Sequence, residues 1–144
     1  MIVDEIVGDM FKTDCQTIAI PVNKVGTLGN GLALYAKKRW PAIDPIYRQC
    51  CRDKFFQTRL ITIPVSDSLQ ILLIPTKNHW KEDSNDWLIE HSLKILAKDY
   101  KQLNITSLAM PKIGCGKGNM DYDVVQGMLY KYLDPLDIPV KIYI

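Results

Sequence analysis

Histidine and cysteine are scarce in this 144-residue sequence, and their spacing excludes several kinds of site. His79 and His91 are the only histidines, so we do not expect a zinc site built from protein side chains. The four cysteines have neither zinc-ligand nor thioredoxin spacing, which favours free thiols in a reducing compartment. They are Cys15, Cys50, Cys51 and Cys115.

An excess of charge of one sign and long apolar runs are also missing. The formal net charge of +2 argues against a dedicated nucleic-acid coat but allows a local basic patch. No apolar run approaches membrane-spanning length, and Asp4 and Glu5 do not suit a signal peptide. We therefore expect a cytoplasmic monomer with no membrane partner. The hydrophobic content of 47% is enough for one domain over residues 1–144.

Strand-like and helix-like segments alternate along the chain. The predicted strands cover residues 1–7, 17–22, 59–65, 69–74, 105–110 and 138–144. The predicted helices cover residues 32–40, 41–54, 84–103 and 121–133, with Ser84 as the cap of the third and residues 75–83 as a loop before it. A polar turn at 66–68 indicates a hairpin, so the sheet should be mixed. This order predicts an α/β fold with three layers, α/β/α, around a central mixed sheet.

Two glycine-rich segments each follow an apolar strand and open a helix. They are residues 23–31 and residues 111–118. Glycine allows consecutive backbone N–H groups to converge on an anion, and a helix N-terminus adds partial positive charge. Any one of these glycines is as easily structural, but the pair at strand ends favours a diphosphate held from both sides. Lys112 and Lys117 flank the second loop and either lie in solvent or steer the anion.

Four features in this order resemble the macrodomain family, which binds ADP-ribose, over nearly the whole chain. Residues 7–9 resemble the motif whose Asp reads the adenine amino group, and Asn23 resembles the Asn that faces the distal ribose. Residues 29–33 and 113–116 resemble the two phosphate loops. The resemblance implies binding of ADP-ribose with no cofactor and no metal. The ligand-binding residues it implies are Asp9, Met10, Gly29, Gly31, Leu32, Ala33, Ile113, Gly114, Cys115, Gly116 and Lys117.

Within the family, residues 75–80 and 110–116 are similar to two kinds of hydrolase. One is the terminal ADP-ribose glycohydrolase, which clears ADP-ribose from protein carboxylates, and the other is the DarG-type antitoxin, which clears it from DNA bases. Both place a lysine at Lys77, so the resemblance implies Lys77 and Asn23 as catalytic residues. The protein-directed enzyme carries an Asp where this chain has Gly118. The expected partner is therefore an ADP-ribosylated substrate, DNA in preference to a protein carboxylate.

Several alternatives stay open at the level of sequence. Lys77 is a solvated loop lysine, or an acid, base or nucleophile at C1″ of the distal ribose. Asp9 and Asn23 are also typical turn residues. Trp80 is a core anchor or a stacking platform for a nucleobase. The alternative functions are an ADP-ribose-1″-phosphate phosphatase, a reader without turnover, and a nucleotide-binding domain unrelated to ADP-ribose. Cys115 has no histidine near it in sequence, so we do not expect it to be a nucleophile.

Overall fold

A computed structural model of the protein describes residues 1–144, which form six strands and four α-helices. The strands are β1 (Ile2–Ile6), β2 (Thr17–Asn23), β3 (Ile61–Pro64), β4 (Gln70–Lys77), β5 (Leu108–Pro111) and β6 (Val140–Tyr143). The helices are α1 (Gly31–Arg39), α2 (Ile43–Arg52), α3 (Asp86–Asp99) and α4 (Tyr122–Leu133). Short 3-10 turns occupy Met10–Lys12 and Phe55–Gln57.

The strands form one mixed sheet in the order β1-β6-β5-β2-β4-β3. Every neighbouring pair is parallel except β3 and β4, which are antiparallel. Their hairpin closes where the Val65 and Ser66 amides both donate to the Leu69 carbonyl. The α/β class and the mixed sheet predicted from the sequence are confirmed.

The core lies on both sides of the central strands. All of β5 is buried, as are all of β4 before Lys77 and all of β2 except Pro21. Burying one large aliphatic side chain contributes about 1.5–3 kcal/mol, so these strands carry much of the stability of the fold. Helix α3 packs against β4 and α4, and α1 packs against β2, so helices cover the sheet. None of the helices combines the length and apolar composition needed to cross a membrane.

Four predictions of element boundaries and caps are wrong. Residues 75–77 do not lie in a loop, because the ladder between β2 and β4 continues through them. Helix α3 is capped by Asn85, whose Oδ1 accepts from the Leu88 amide, and not by Ser84. The same helix ends at Asp99 rather than at residue 103. Pro41 stands in the turn before α2 instead of its first helical turn.

Candidate functional site

A cleft of about 580 Å³ opens at the carboxyl ends of β2, β4 and β5. Its floor includes residues 21–23 of β2 and residues 76–77 of β4, and its walls include both glycine loops. The carboxyl edge of a mainly parallel sheet is where α/β folds bind ligands, because loops and helix N-termini converge there. Nowhere in the structure do three or more His, Cys, Asp or Glu side chains converge as they would around a metal ion.

The structure brings Asn23 and Lys77 together at the floor of this cleft. They are partners in the parallel ladder of β2 and β4, and both line the cleft. The register shifts just before them, since Val22 pairs with Pro75 and Thr76 has no partner of its own. A shift of this kind changes which face of the sheet a side chain takes. The irregular ladder thus determines on which face of the sheet the side chains of Asn23 and Lys77 lie relative to each other.

A hydrogen-bond network fixes the side chain of Asn23. Its Oδ1 accepts from the Val25 amide at 3.0 Å and from the Tyr47 hydroxyl at 2.7 Å, and its Nδ2 donates to the Thr27 carbonyl at 2.7 Å. Tyr47 is fully buried, and burial raises the pKa of its hydroxyl, which therefore stays protonated as a donor. Asn23 makes the Asx-type contacts of a turn residue, and one hydrogen of its Nδ2 is left for a ligand.

Two hydrogen bonds to backbone carbonyls fasten the end of β4 and the segment after it to the second glycine loop. Lys77 Nζ lies 3.3 Å from the carbonyl oxygen of Lys117, and the Ser84 amide donates to the Gly118 carbonyl at 3.0 Å. The side chain of Lys77 thus reaches the second glycine loop through a hydrogen bond that is open to solvent. The candidate catalytic ammonium and the candidate phosphate loop are therefore in direct contact.

The first glycine loop presents backbone N–H groups that have no acceptor in the protein. Helix α1 begins at Gly31, and its N-cap Asn30 makes no side-chain capping bond. The N–H groups of residues 29–33 donate to no protein atom, whereas Asn85 and Asp121 cap α3 and α4. Free N–H groups at a helix N-terminus attract an anion through hydrogen bonding and the helix dipole. The predicted Gly29, Gly31, Leu32 and Ala33 all line the cleft.

The second glycine loop also has backbone N–H groups without a protein acceptor, on the other wall of the cleft. The N–H groups of Gly114, Gly116 and Lys117 also lack a protein acceptor, and all three residues line the cleft. Lys117 Nζ lies 3.4 Å from Asn30 Oδ1, so the two loops touch across the cleft. Lys112 lines it too, with its ammonium 5.7 Å from the ring centre of Tyr122. Two facing groups of N–H donors are suited to holding a diphosphate.

The three glycines of the second loop have different physical reasons to be glycine. Gly114 has a φ of +76°, and a Cβ there would lie 2.7 Å from Ile89 Cδ1. A Cβ at Gly118 would overlap Ser84 Oγ and the Gly114 carbonyl. A Cβ at Gly116 would meet no protein atom within 4 Å. Gly114 and Gly118 are therefore required by packing, and Gly116 alone leaves open space beside the cleft.

Four of the residues predicted from sequence do not line the cleft. Met10 and Ile113 are buried in the core, so only their backbone is available to a ligand. Burial raises the pKa of the Cys115 thiol, which disfavours the nucleophilic thiolate, in line with the prediction for it. Asp9 is exposed and caps the turn at Met10–Lys12, its Oδ1 accepting from the Phe11 amide at 2.9 Å. Its Oδ2 makes no hydrogen bond.

Among the other residues that line the cleft are three that the sequence did not single out as site residues or left undecided. Thr76 follows from the register shift, for which the sequence carries no signal. Ser84 has a buried Oγ without any hydrogen-bond partner, and it was identified only as a helix cap. Trp80 is 45% exposed on the cleft wall, so the core-anchor alternative for it is wrong. The centre of its ring lies 5.5 Å from that of His79 and 5.1 Å from the Lys81 ammonium.

The contrast between Gly116 and Gly118 predicts two different mutant phenotypes. Gly116→Ala should keep the free energy of unfolding within about 0.5 kcal/mol of wild type, because the methyl group meets no protein atom. It should still weaken binding of ADP-ribose at least about tenfold by obstructing close approach to the backbone. Gly118→Ala should lose about 1–3 kcal/mol of stability through overpacking. Chemical denaturation measures the free energy of unfolding and calorimetry measures the affinity for ADP-ribose. Equal stability of the two variants would contradict the different roles assigned to Gly116 and Gly118.

The network around Asn23 predicts that Tyr47→Phe acts through Asn23. Removing one buried hydroxyl should cost about 1–2 kcal/mol of stability, because an acceptor on Asn23 loses its donor. If the hydroxyl positions Asn23, turnover should fall while the affinity for ADP-ribose changes little, since Tyr47 does not line the cleft. Tyr132→Phe is the matched control, because that hydroxyl makes no hydrogen bond. Turnover of Tyr47→Phe equal to wild type would leave the tyrosine a purely structural role.

Comparison with known proteins agrees with this geometry. A family model described as Macro domain matches residues 19–129. The DNA ADP-ribosyl transferase–DNA ADP-ribosyl glycohydrolase fusion protein of Thermosipho africanus is 33% identical over 95% of the chain, which covers 40% of that relative. The DNA ADP-ribosyl glycohydrolase of Mycobacterium tuberculosis is 32% identical over 94% of the chain, again 40% of the relative. The chain thus spans about two fifths of the length of these curated relatives.

The solved structures give the same result. The macrodomain of Mycobacterium tuberculosis DarG superimposes with a TM-score of 0.90 at 28% identity, covering 99% of this chain and 98% of that one. The structure of Thermosipho africanus DarTG in complex with ADP-ribose gives a TM-score of 0.87 at 36% identity, covering 94% of this chain and 39% of that one. With the family model covering most of the sequence and the fold shared over nearly all of it, the chain belongs to the macrodomain family.

Proposed function

We propose that this macrodomain binds ADP-ribose and hydrolyses an ADP-ribosyl linkage on modified nucleic acid, with DNA as the leading substrate. The observation that carries the proposal is the pairing of Asn23 with Lys77 at the floor of a cleft walled by two sets of free N–H groups. A reader of ADP-ribose has no need of a lysine at that floor. The names of the relatives, DNA ADP-ribosyl glycohydrolases, support the same activity and substrate.

The proposed binding mode follows from the positions of the donors. The diphosphate lies between the N–H groups of the two glycine loops, and the distal ribose reaches Asn23 and Lys77 on the floor. The ring of Phe11 lies 4.3 Å from that of Tyr35, so the Asp9 turn sits beside α1, whose first turn lines the cleft. Adenine bound at that end of the cleft would donate its amino group to the free Oδ2 of Asp9.

The proposed reaction uses the ammonium of Lys77 as an acid. The bond between C1″ and the base breaks, its electron pair stays on the base, and Lys77 supplies the proton that neutralises it. Water adds to C1″ as the ring oxygen stabilises the positive charge, and the proton released from water returns to the amine. Asn23 holds the ribose through the remaining hydrogen of its Nδ2. The products are ADP-ribose and the unmodified base, so atoms and charges balance.

Two features support nucleic acid over protein as the source of the adduct. Trp80 offers a half-exposed ring at the wall of the cleft, where a base leaving C1″ can stack. Gly118 occupies the position of the Asp in protein-directed enzymes, and any Cβ there overlaps Ser84 and Gly114. The loop of this chain is therefore packed in a way that leaves no room for that carboxylate.

Replacing Lys77 should separate chemistry from binding. Lys77→Ala should lower turnover of ADP-ribosylated single-stranded DNA by about a hundredfold or more, because the acid is lost. The affinity for ADP-ribose, measured by calorimetry, should stay within about threefold, since backbone groups hold the diphosphate. Lys98→Ala removes an exposed lysine on α3 and is the control for loss of charge.

Four results would count against the proposal in different ways. Unchanged turnover in Lys77→Ala would remove the lysine from the mechanism. A covalent adduct on Lys77, trapped by borohydride in the wild type, would make it a nucleophile instead of an acid. Binding of ADP-ribose without release from any substrate would favour a reader, and faster release from protein carboxylates than from DNA would reverse the order of substrates.

The stacking role of Trp80 has a matched control within the chain. Trp80→Ala should raise the KM for ADP-ribosylated DNA by about 5- to 100-fold, the range of one base–aromatic stack. Trp87→Ala should not, because Trp87 is 67% exposed but stacks on His91 and does not line the cleft. Neither change should alter the affinity for free ADP-ribose. Equal effects of the two variants on KM would eliminate the stacking role.

A further inference from the structure

A second cavity lies next to the first glycine loop. It has a volume of about 300 Å³ and is formed by residues 24–26 of the loop together with Arg48, Cys51 and Arg52 of α2. We name it the basic cavity. Asn23 and Thr27 line the cleft while the residues between them line the basic cavity, so one short loop separates the two.

The cations of the basic cavity are only partly neutralised. Arg48 pairs with Asp44 at 3.2 Å. Arg52 donates to Gln49 Oε1 at 2.7 Å and has no carboxylate partner. Lys24 makes no hydrogen bond or ion pair, and burial lowers the pKa of its amine, because no anion offsets the lost hydration. A half-buried ammonium beside a second unpaired cation is unfavourable unless an anion occupies the space.

The rest of the cavity wall is compatible with a bound anion. Gly26 has a φ of +88°, which lets the loop turn back against α2. The loop and the helix approach so closely there that a Cβ on residue 26 would lie 3.5 Å from Arg48 Cγ. Burial raises the pKa of the Cys51 thiol, so the sulfur is neutral and does not repel an anion. No carboxylate lines the cavity.

We propose that the basic cavity binds a backbone phosphate of the strand that carries the adduct. This rests on the proposed function, since a strand whose modified base enters the cleft has a phosphate on either side of that nucleotide. Lys24 directly follows Asn23, so the strand needs to cross only one loop to pass from the cleft to the cavity. Lys24 and Arg52 contact the phosphate, and a protein substrate, which has no phosphodiester backbone, does not use the site.

The test measures binding of a fluorescein-labelled, unmodified single-stranded oligonucleotide by anisotropy at several salt concentrations. Log affinity falls as log salt rises, and Lys24→Gln and Arg52→Gln should each make this negative slope shallower by about 0.7. That change amounts to about an eightfold loss of affinity at 50 mM salt. Lys24→Arg should retain wild-type binding because it keeps the charge. Lys98→Gln, the matched control on α3, should bind like wild type. None of these changes should alter the affinity for ADP-ribose.

The outcomes separate this proposal from the proposed function. If wild type binds the oligonucleotide but cleaves no adduct, the proposed function fails and the comparison of variants still decides the role of the cavity. Oligonucleotide binding by Lys24→Gln and Arg52→Gln equal to that by Lys98→Gln overturns the proposal. The proposal is also overturned if Lys24→Gln and Arg52→Gln lose as much affinity for ADP-ribose as for the oligonucleotide. It is overturned as well if Lys24→Gln lowers turnover of an ADP-ribosylated protein as much as turnover of ADP-ribosylated DNA.

Discussion

The parallel pairing of β2 with β4 is the constraint on which the candidate site depends. Both strands are almost wholly buried, and a slip of one residue would turn their apolar side chains to the wrong faces, so the core fixes the register. The single irregularity falls where the core ends, between Val22 and Asn23. At this point Thr76 has no partner in β2, and Asn23 pairs with Lys77. Tyr47 then holds Asn23 from the side of α2 with a buried hydroxyl. The position of the two candidate catalytic side chains is thus a consequence of core packing more than of loop conformation.

Packing against neighbouring residues fixes the shape of the second glycine loop, the candidate phosphate loop. Gly118 lies so close to Ser84 and Gly114 that only hydrogen fits on its Cα, and Gly114 is pressed against Ile89. These contacts pack the segment before α3 against the loop, and the Ser84 hydroxyl lies buried beside them with no hydrogen-bond partner in the protein. The loop is therefore held in shape by α3 and its leading segment, and the N–H groups that face the cleft need no protein acceptor of their own.

Local signals in the sequence were enough for the order of elements, the hairpin and the two glycine loops, because each depends on residues close together in the chain. They were not enough where distant segments meet. Residues 75–77 look like a loop because Pro75 interrupts the apolar pattern, yet the neighbouring strand extends the ladder through them. Ser84 and Asn85 are equally good caps by type, and the choice between them is made by the packing of Ser84 against Gly118.

Contact between Lys77 and the Lys117 carbonyl joins the two halves of the proposed mechanism. The ammonium of Lys77 has three donors, and this carbonyl, on the loop that would hold the diphosphate, accepts from one of them. If a diphosphate draws the N–H groups of that loop toward itself, the carbonyl moves with the loop, and the direction of the ammonium changes with it. Binding of the diphosphate at the loop and the direction of the Lys77 ammonium are then coupled through one hydrogen bond. A substrate lacking the diphosphate would lose turnover as well as affinity, because binding energy from the remote group positions the reacting one.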